Sequence, residues 1–338
     1  MAKTIRNKFD EVLTYEKLQE AHRLCQTCKT SKPEIILFNL KKEEYLKWLY
    51  EQLKSGNYRH GGYRIFYLTK PKRRKVQVSR YIDRIVHRWV VDNFLKEYFI
   101  KNFIYHSYAC IEGKGMHNAV LAVQKAMKHC NRTWGEYYML KMDVAKYFQS
   151  IDRKILMEIL ERKIKDPKLL DLINKIVYSD NEEKGLPIGN YTSQTFANIY
   201  LNEIDKYIKY ELRCKYYFRY MDDSLIIVKT KKEAAETLEK IKKFLDEKLK
   251  LSLNSKTQII KSKQGVNFCG YKINENRLKI RDRGKRNLKD KIKTLEKRIK
   301  DGEMSSTEAY KHITGHVGYI QIANVKNLTN KLFYCGKL

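Results

Sequence analysis

Hydrophobic positions change their spacing several times along the chain, and each change predicts a different element. Residues 43–53 carry Leu and Tyr at helical intervals, so this segment predicts an amphipathic helix. Over residues 63–78 the spacing changes to alternation around a basic centre, which predicts a β-hairpin. By the same criteria we expect helices over residues 80–94, 118–129, 153–164, 190–208, 232–249 and beyond 281, and strands over 136–143, 217–228, 257–261 and 266–273.

Acidic residues occupy two positions in this pattern that ordinary turns do not explain. Asp222 and Asp223 lie between an aromatic run and an apolar run, at the tip of a predicted hairpin. A solvated Asp-Asp turn is the simpler interpretation of that pair taken alone. Asp143 ends the predicted core strand 136–143, where a solvated acid is out of place. Acids on two rigid strands can share a divalent cation, and two such cations can catalyse phosphoryl transfer.

The charge balance favours a polyanionic partner. The chain has 338 residues with 70 Lys and Arg against 39 Asp and Glu, a formal net charge of +31. The excess is spread along the whole chain, and 43% hydrophobic residues are enough for a buried core. Such a field favours nucleic acid ahead of an anionic membrane. The 25 tyrosines suit stacking on bases as well as packing.

Cysteine usage and hydropathy predict a soluble, cytoplasmic protein with reduced thiols. The seven cysteines are irregularly spaced, and the single C-x-x-C, Cys25 to Cys28, has no second pair to complete a zinc site. No apolar segment approaches the ~18 residues of a membrane span, and the N-terminus lacks a signal-peptide core.

Two further segments suit phosphate groups. The basic run 70–75 at the tip of the first hairpin offers Lys and Arg to phosphate oxygens, although a solvated charge run or a targeting signal explains it equally well. A Gly/Pro loop over 184–190 leads into a helix whose first N–H groups could meet a phosphate or a base edge.

Residues 220–223 read Tyr-Met-Asp-Asp, which resembles the signature of reverse transcriptases. The resemblance extends in one consistent order from residue 63 to residue 271. Its other motifs are Pro71-Lys72 through Arg74 to Asp83-Arg84, the Ser107-Tyr108 loop, Asp143 to Phe148, the Gly-Leu-Pro-Ile-Gly loop 185–189, Lys256 preceded by Leu251, Leu253 and Asn254, and Phe268-Cys269-Gly270-Tyr271.

This resemblance implies an α+β right-hand polymerase with fingers, a palm built on an antiparallel sheet, and a short helical thumb. The N-terminal segment and fingers would occupy residues 1–135, the palm 136–275 with 184–215 partly in the fingers, and the basic thumb 276–338. The implied activity is RNA-templated DNA synthesis from dNTPs with two Mg²⁺ ions, for which Mn²⁺ could substitute.

The resemblance also assigns roles residue by residue. Asp143 and Asp222 would be the principal metal ligands, with the Val144 carbonyl as a further ligand and Asp223 as a supporting acid. Phe148 matches the steric gate that rejects a ribose 2′-hydroxyl, although a core aromatic is the alternative. Lys256 matches a proton donor to pyrophosphate, and a solvent-facing lysine is the alternative. The remaining expected site residues are Lys72, Arg74, Ile188 and Gln194 at the dNTP, with Lys70 less firmly placed, and Phe268, Cys269, Gly270 and Tyr271 in the primer grip.

Ile188 departs from the pattern of most reverse transcriptases, which have Gln at this position. The run 188–194 resembles instead the form found in diversity-generating retroelements, related to group II introns, whose enzymes copy template adenines with errors. That subfamily implies a structured template RNA, a cDNA–RNA hybrid and a small basic accessory protein that forms a ring. Two alternatives stay open: a reverse transcriptase of another bacterial class (abortive-infection, CRISPR-associated or group II intron-like), and an RNA-binding scaffold without turnover.

Overall fold

The structure, a computed structural model, describes residues 4–69, 73–180 and 182–323. Its strands are β1 (Tyr63–Leu68), β2 (Arg74–Ser79), β3 (Tyr138–Asp143), β4 (Tyr216–Tyr220), β5 (Asp223–Val228), β6 (Gln258–Lys261), β7 (Val266–Phe268), β8 (Tyr271–Ile273) and β9 (Leu278–Ile280). Its α-helices are α1 (Phe9–Val12), α2 (Tyr15–Gln26), α3 (Pro33–Leu40), α4 (Lys42–Lys54), α5 (Tyr81–Val90), α6 (Lys96–Tyr98), α7 (Met116–Trp134), α8 (Tyr147–Ser150), α9 (Arg153–Glu161), α10 (Pro167–Val177), α11 (Tyr191–Lys206), α12 (Lys231–Leu249), α13 (Asp282–Lys300) and α14 (Ser306–Gln321).

The chain divides into two compact units that interleave in sequence. The first unit comprises Met1–Tyr105, Val144–Glu211 and Ile241–Ser255, and the second comprises His106–Asp143, Leu212–Lys240 and Lys256–Leu338. The mixture of helices with antiparallel sheets confirms the predicted α+β fold class. The assignment of residues 1–135, 136–275 and 276–338 to fingers, palm and thumb stays a prediction.

The first unit is mainly helical, with one two-stranded hairpin. Helix α5 packs against α2 and α11, and its strong amphipathic pattern explains why one face is fully buried. The carboxylate of Asp166 caps α10 by accepting from the Leu169 N–H, and it also accepts from the N–H groups of Lys8 and Phe9. Strands β1 and β2 pair antiparallel, as the alternation over 63–78 predicts.

The second unit contains the sheet that carries the acids. Four antiparallel strands lie in the order β4-β5-β3-β6, so β3 is a central strand. A separate three-stranded sheet, β7-β8-β9, shares one hydrophobic core with α7, β3, β5, α13 and α14. Apolar residues facing this core include Met139, Leu225 and Ile313.

The prediction of one strand over residues 266–273 was wrong. Strands β7 and β8 are the two arms of a hairpin, and Phe268 pairs with Tyr271 across a two-residue turn. The turn residues Cys269 and Gly270 have φ values of +47° and +82°. Two consecutive left-handed residues reverse the chain in the sense that fits the twist of a β-hairpin. Helix α10 and strand β9 are further elements that the hydrophobic pattern did not predict.

Candidate active site

Three acids meet at one end of the central sheet. Asp143 is the last residue of β3, and its register partner is Asp223, the first residue of β5. Tyr220 also pairs with Asp223, so Met221 and Asp222 form the two-residue turn between β4 and β5. The structure therefore brings together the acids singled out from the sequence, with Asp222 in the turn and Asp223 in the strand.

The turn that presents Asp222 has a strained backbone supported by its neighbours. Met221 has φ +54°, a conformation that costs a non-glycine residue about 1–2 kcal/mol. The buried guanidinium of Arg219 donates to the Met221 carbonyl at 3.2 Å. The Arg219 N–H donates to the His106 carbonyl at 3.0 Å, and the Arg219 carbonyl accepts from the Tyr108 N–H at 3.1 Å. These bonds hold the turn in the conformation that places Asp222 beside Asp143.

The carboxyl groups of Asp222 and Asp143 lie close enough to interact electrostatically. Burial, followed by the nearby charge of Asp143, raises the pKa of Asp222 to about 6. Two neighbouring ionised carboxylates repel each other unless a proton or a cation lies between them. The electrostatics of the pair therefore favour cation binding.

Asp223 has partners of its own. Its carboxylate forms an ion pair with the ammonium of Lys141, and it accepts a long hydrogen bond of 3.4 Å from the Cys269 N–H. Burial raises the pKa of Asp223, and the charge of Lys141 opposes that rise. Because Lys141 and Cys269 already bind its oxygens, Asp223 is suited to a supporting position beside Asp143 and Asp222.

The donor set fits Mg²⁺ delivered together with a phosphate-bearing substrate. Within residues 4–69, 73–180 and 182–323, no three His, Cys, Asp or Glu side chains converge as a complete metal site. Mg²⁺ is commonly bound through one or two carboxylates, with water and substrate phosphates as its other ligands. Asp143 and Asp222 supply two such carboxylates on a rigid sheet.

Two other predicted parts of the site, Lys256 and the primer grip, lie in the second unit. Lys256 is exposed in the turn before β6, the strand that pairs with β3. Of the predicted primer grip, Phe268 and Tyr271 are buried, and Cys269 and Gly270 form the turn described above.

The residues predicted to contact the dNTP lie in the first unit, and the structure connects several of them. The Phe148 carbonyl accepts from the Leu186 N–H at 2.8 Å, and the Ile188 carbonyl accepts from the Gln77 N–H at 2.9 Å. Gly189 has φ +129° and lies so close to β2 that an added Cβ would be 2.7 Å from the Gln77 carbonyl oxygen. The loop 184–190 is therefore held between Phe148 and β2.

The other predicted dNTP residues are more dispersed. Arg74 is exposed at the start of β2, and Gln194 is exposed in the first turn of α11. Val144 is buried and bridges to Leu253. Lys72, together with Lys70, lies outside the described residues.

Sequence reasoning missed two basic residues that organise these sites. Lys141 lies two positions before Asp143 on a strand, so alternation alone places both on one face of the sheet. Arg153 is buried in the first unit, where it donates to the Gly185 carbonyl at 2.7 Å and pairs with Asp180 at 2.6 Å. Asp180 also accepts from the Gln77 side chain at 3.0 Å, so this pair secures the loop 184–190 to β2.

A sheet of four antiparallel strands, with acids from a central strand and from the adjoining hairpin turn, is consistent with the right-hand polymerase fold. A model of the family "Reverse transcriptase (RNA-dependent DNA polymerase)" matches residues 67–273, more than half of the chain. The chain belongs to the reverse transcriptase family.

Curated relatives include proteins encoded in introns. The group II intron-encoded protein LtrA of Lactococcus lactis is 25% identical over 330 residues, covering 75% of this chain and 53% of LtrA. Protein YkfC of Escherichia coli is 26% identical over 271 residues, covering 68% of this chain and 71% of YkfC. The putative COX1/OXI3 intron 2 protein of Saccharomyces cerevisiae is 25% identical over 278 residues, covering 63% of this chain and 31% of that protein. The chain thus spans about a third of the length of the Saccharomyces cerevisiae protein and about half of the length of LtrA.

Solved structures of telomerase share the fold. Apo telomerase from Candida tropicalis aligns with a TM-score of 0.52 at 14% identity, covering 72% of this chain and 53% of that one. Candida albicans telomerase, solved with a fragment of telomeric RNA, aligns with a TM-score of 0.50 at 12% identity, covering 77% of this chain and 55% of that one. In the part of the chain that the structure describes, no helix is long and apolar enough to cross a bilayer.

Proposed function

We propose that the chain is an RNA-directed DNA polymerase that extends a primer with dNTPs along a template RNA. The observation that carries the proposal is the neighbouring pair Asp143 and Asp222, presented by a central strand and the adjoining turn of the four-stranded sheet. Membership of the reverse transcriptase family supports the same reaction.

Each group has a defined task in this mechanism. Asp143 and Asp222 would hold Mg²⁺, with the Val144 carbonyl as a further ligand, and Asp223 would fix the position of the pair. Bound Mg²⁺ supplies charge that activates a 3′-hydroxyl and stabilises the leaving pyrophosphate. Lys256 would donate a proton to that pyrophosphate.

Residues of the first unit would select the substrate. Arg74 and Lys72 would bind the triphosphate, and Gln194 would contribute from the start of α11. The ring of Phe148 would exclude a ribose 2′-hydroxyl. Primer grip residues Phe268–Tyr271 would hold the primer strand.

Primer extension with Mg²⁺ and an RNA template tests this proposal. Asp222→Asn keeps the shape of the side chain and removes its charge, so we expect the rate to fall by about a thousandfold. Asp246→Asn, at an exposed position of α12, is the matched control and should keep the wild-type rate. If the wild-type protein binds RNA and makes no DNA, the non-catalytic scaffold is preferred.

We further propose that the enzyme copies template adenines with errors, as in a diversity-generating retroelement. The support is Ile188, whose branched hydrocarbon side chain cannot hydrogen-bond a nascent base pair as Gln can. The bond from Gln77 to its carbonyl fixes the backbone at this position, so the difference between Ile and Gln lies in the side chain.

Sequencing of the cDNA tests the role of Ile188. Ile188→Gln should lower misincorporation opposite adenine, whereas Ile188→Val, which restores no hydrogen bond, should leave the error spectrum unchanged. Uniform fidelity of the wild type at all template bases would favour the alternative that the intron-encoded relatives support, a group II intron-like reverse transcriptase.

The proposed partners are a structured template RNA, the cDNA–RNA hybrid and a small basic accessory protein. The formal charge of +31 supports a large electrostatic share in RNA binding. Affinity should therefore fall steeply with salt, by roughly 0.7 log units per log of salt for each phosphate of a single strand contacted.

A further inference from the structure

A side chain of the last described helix, α14, is hydrogen-bonded to the turn Cys269-Gly270. The hydroxyl of Tyr319, on α14, donates to the Gly270 carbonyl at 2.7 Å. In return, the hydroxyl of Tyr271 donates to the Tyr319 carbonyl at 2.7 Å, and the two rings lie 4.7 Å apart between centroids. Two reciprocal bonds therefore join this hairpin to α14.

Two glycines leave the space that the Tyr319 ring occupies. A Cβ added to Gly270 would lie 2.5 Å from the Tyr319 hydroxyl oxygen, closer than any real contact of a Cβ. A Cβ added to Gly284 would lie 3.4 Å from the same ring, in addition to 2.8 Å from the Cγ2 of Ile280. The fit of the ring against Gly270 thus depends on a missing side chain at a position that also has φ +82°.

The opposite side of the same turn faces the acids. The Cys269 N–H donates to Asp223 at 3.4 Å, and Asp223 is the register partner of Asp143. Cys269 is a non-glycine residue with φ +47°, so its N–H points at Asp223 only while the strained turn is held. The carbonyl of the next residue, Gly270, accepts from the Tyr319 hydroxyl at 2.7 Å and from the Arg281 N–H at 3.2 Å, and Tyr319 supplies the shorter of these two bonds.

We propose that Tyr319 is a positioning residue for polymerisation: it clamps the Cys269-Gly270 turn and thereby fixes Asp223 beside the metal-binding acids. The inference rests on the proposed polymerase function and extends it to α14, beyond the segment that the family model matches.

The first test removes one hydroxyl. Tyr319→Phe keeps the ring and loses the bond to Gly270, so kcat for primer extension should fall roughly fivefold, the rate equivalent of one neutral hydrogen bond. KM for dNTP should not change. The substitution alters the placement of Asp223, and it leaves the groups that are predicted to bind the triphosphate unaltered. Tyr310→Phe, at an exposed position of the same helix, is the matched control and should retain the wild-type kcat.

The second test uses the close contact at Gly270. Gly270→Ala should lower kcat by more than about tenfold, because the new Cβ meets the Tyr319 hydroxyl at a left-handed backbone position. In the double variant Gly270→Ala/Tyr319→Phe the clashing oxygen is gone, so kcat should recover to within about threefold of the Tyr319→Phe single variant. A double variant whose loss equals or exceeds the product of the two single losses would overturn the clamp, as would an unchanged kcat in Tyr319→Phe.

These results remain distinguishable from failure of the proposed function. A wild-type protein without primer extension contradicts the polymerase proposal. In that case the urea midpoints of the wild type, the two single variants Gly270→Ala and Tyr319→Phe, and the double variant still decide whether Gly270 and Tyr319 are coupled. The clash and its relief change the stability of the protein as well as its rate.

Discussion

Replacing Lys141 with Met should leave the carboxylate of Asp223 buried without its counter-charge. The side chains of Lys141 and Asp223 are only 13% and 29% exposed. Breaking a fully buried pair costs about 3–5 kcal/mol and an exposed pair contributes at most about 1 kcal/mol, so at this burial we expect a loss of about 2–3 kcal/mol at pH 8. Lys141→Arg, which keeps the charge, should lose much less.

The loss should depend on pH in a defined direction. Burial already raises the pKa of Asp223, and removing Lys141 removes the charge that opposes the rise. A carboxyl with a raised folded-state pKa destabilises the fold when ionised, so the deficit of Lys141→Met should shrink as the pH falls through that pKa. Urea unfolding at pH 8 and pH 5 measures the difference, with Lys272→Met at an exposed strand position as the control. A deficit below about 0.5 kcal/mol at pH 8, or one that grows at pH 5, would refute the ion-pair reasoning.

Two further substitutions test the first unit. His87 is fully buried, neither ring nitrogen has a partner among the described residues, and burial lowers its pKa to about 3. Because the unfolded chain takes up a proton near pH 6.5, wild type should lose about 2 kcal/mol more than His87→Phe between pH 7 and pH 5, measured by urea unfolding; equal losses would exclude His87 as the cause. Gly189→Ala should destabilise by about 2–3 kcal/mol, because its Cβ would lie 2.7 Å from the Gln77 carbonyl oxygen. Gly56→Ala, with φ +74° and open space, should lose only the backbone part, about 1 kcal/mol; similar losses at both positions would contradict a tight contact at β2.

The sequence predicted the elements whose pattern is local. The helix expected over 232–249 is α12 (Lys231–Leu249), and the strand expected over 136–143 is β3 (Tyr138–Asp143). The acid hairpin could also be predicted, because aromatic and apolar runs flank Asp222 and Asp223 on both sides. Their proximity to Asp143 was inferred from the position of that acid at the end of a core strand and was supported by the resemblance to reverse transcriptases, and the register of β3 with β5 pairs Asp143 with Asp223.

The features that the sequence did not predict depend on distant contacts. The hairpin at 266–273 was missed because Cys269 adopts a left-handed conformation that its own residue type disfavours, and the turn is supported from outside by Arg281 and Tyr319, which both donate to the Gly270 carbonyl. Alternation places Lys141 on the same face of the sheet as Asp143. Its ion pair with Asp223 depends in addition on the register between β3 and β5. The contacts that secure the loop 184–190 to β2 likewise require Arg153 and Asp180, which come together only when the chain folds.

The acids are placed by contacts between segments that are far apart in the chain. The ion pair of Lys141 with Asp223 spans 82 residues, the bond of Cys269 to Asp223 spans 46, and the bond of Tyr319 to Gly270 spans 49. Contacts of such separation form late because long loops must close first. A growing chain that has reached Asp223 contains all three acids, but β6, the Cys269 amide and Tyr319 have not yet been made. Its lysines and arginines need no folded sheet to attract RNA. If the chain binds RNA as proposed, it can therefore do so during synthesis, before its acids are in place.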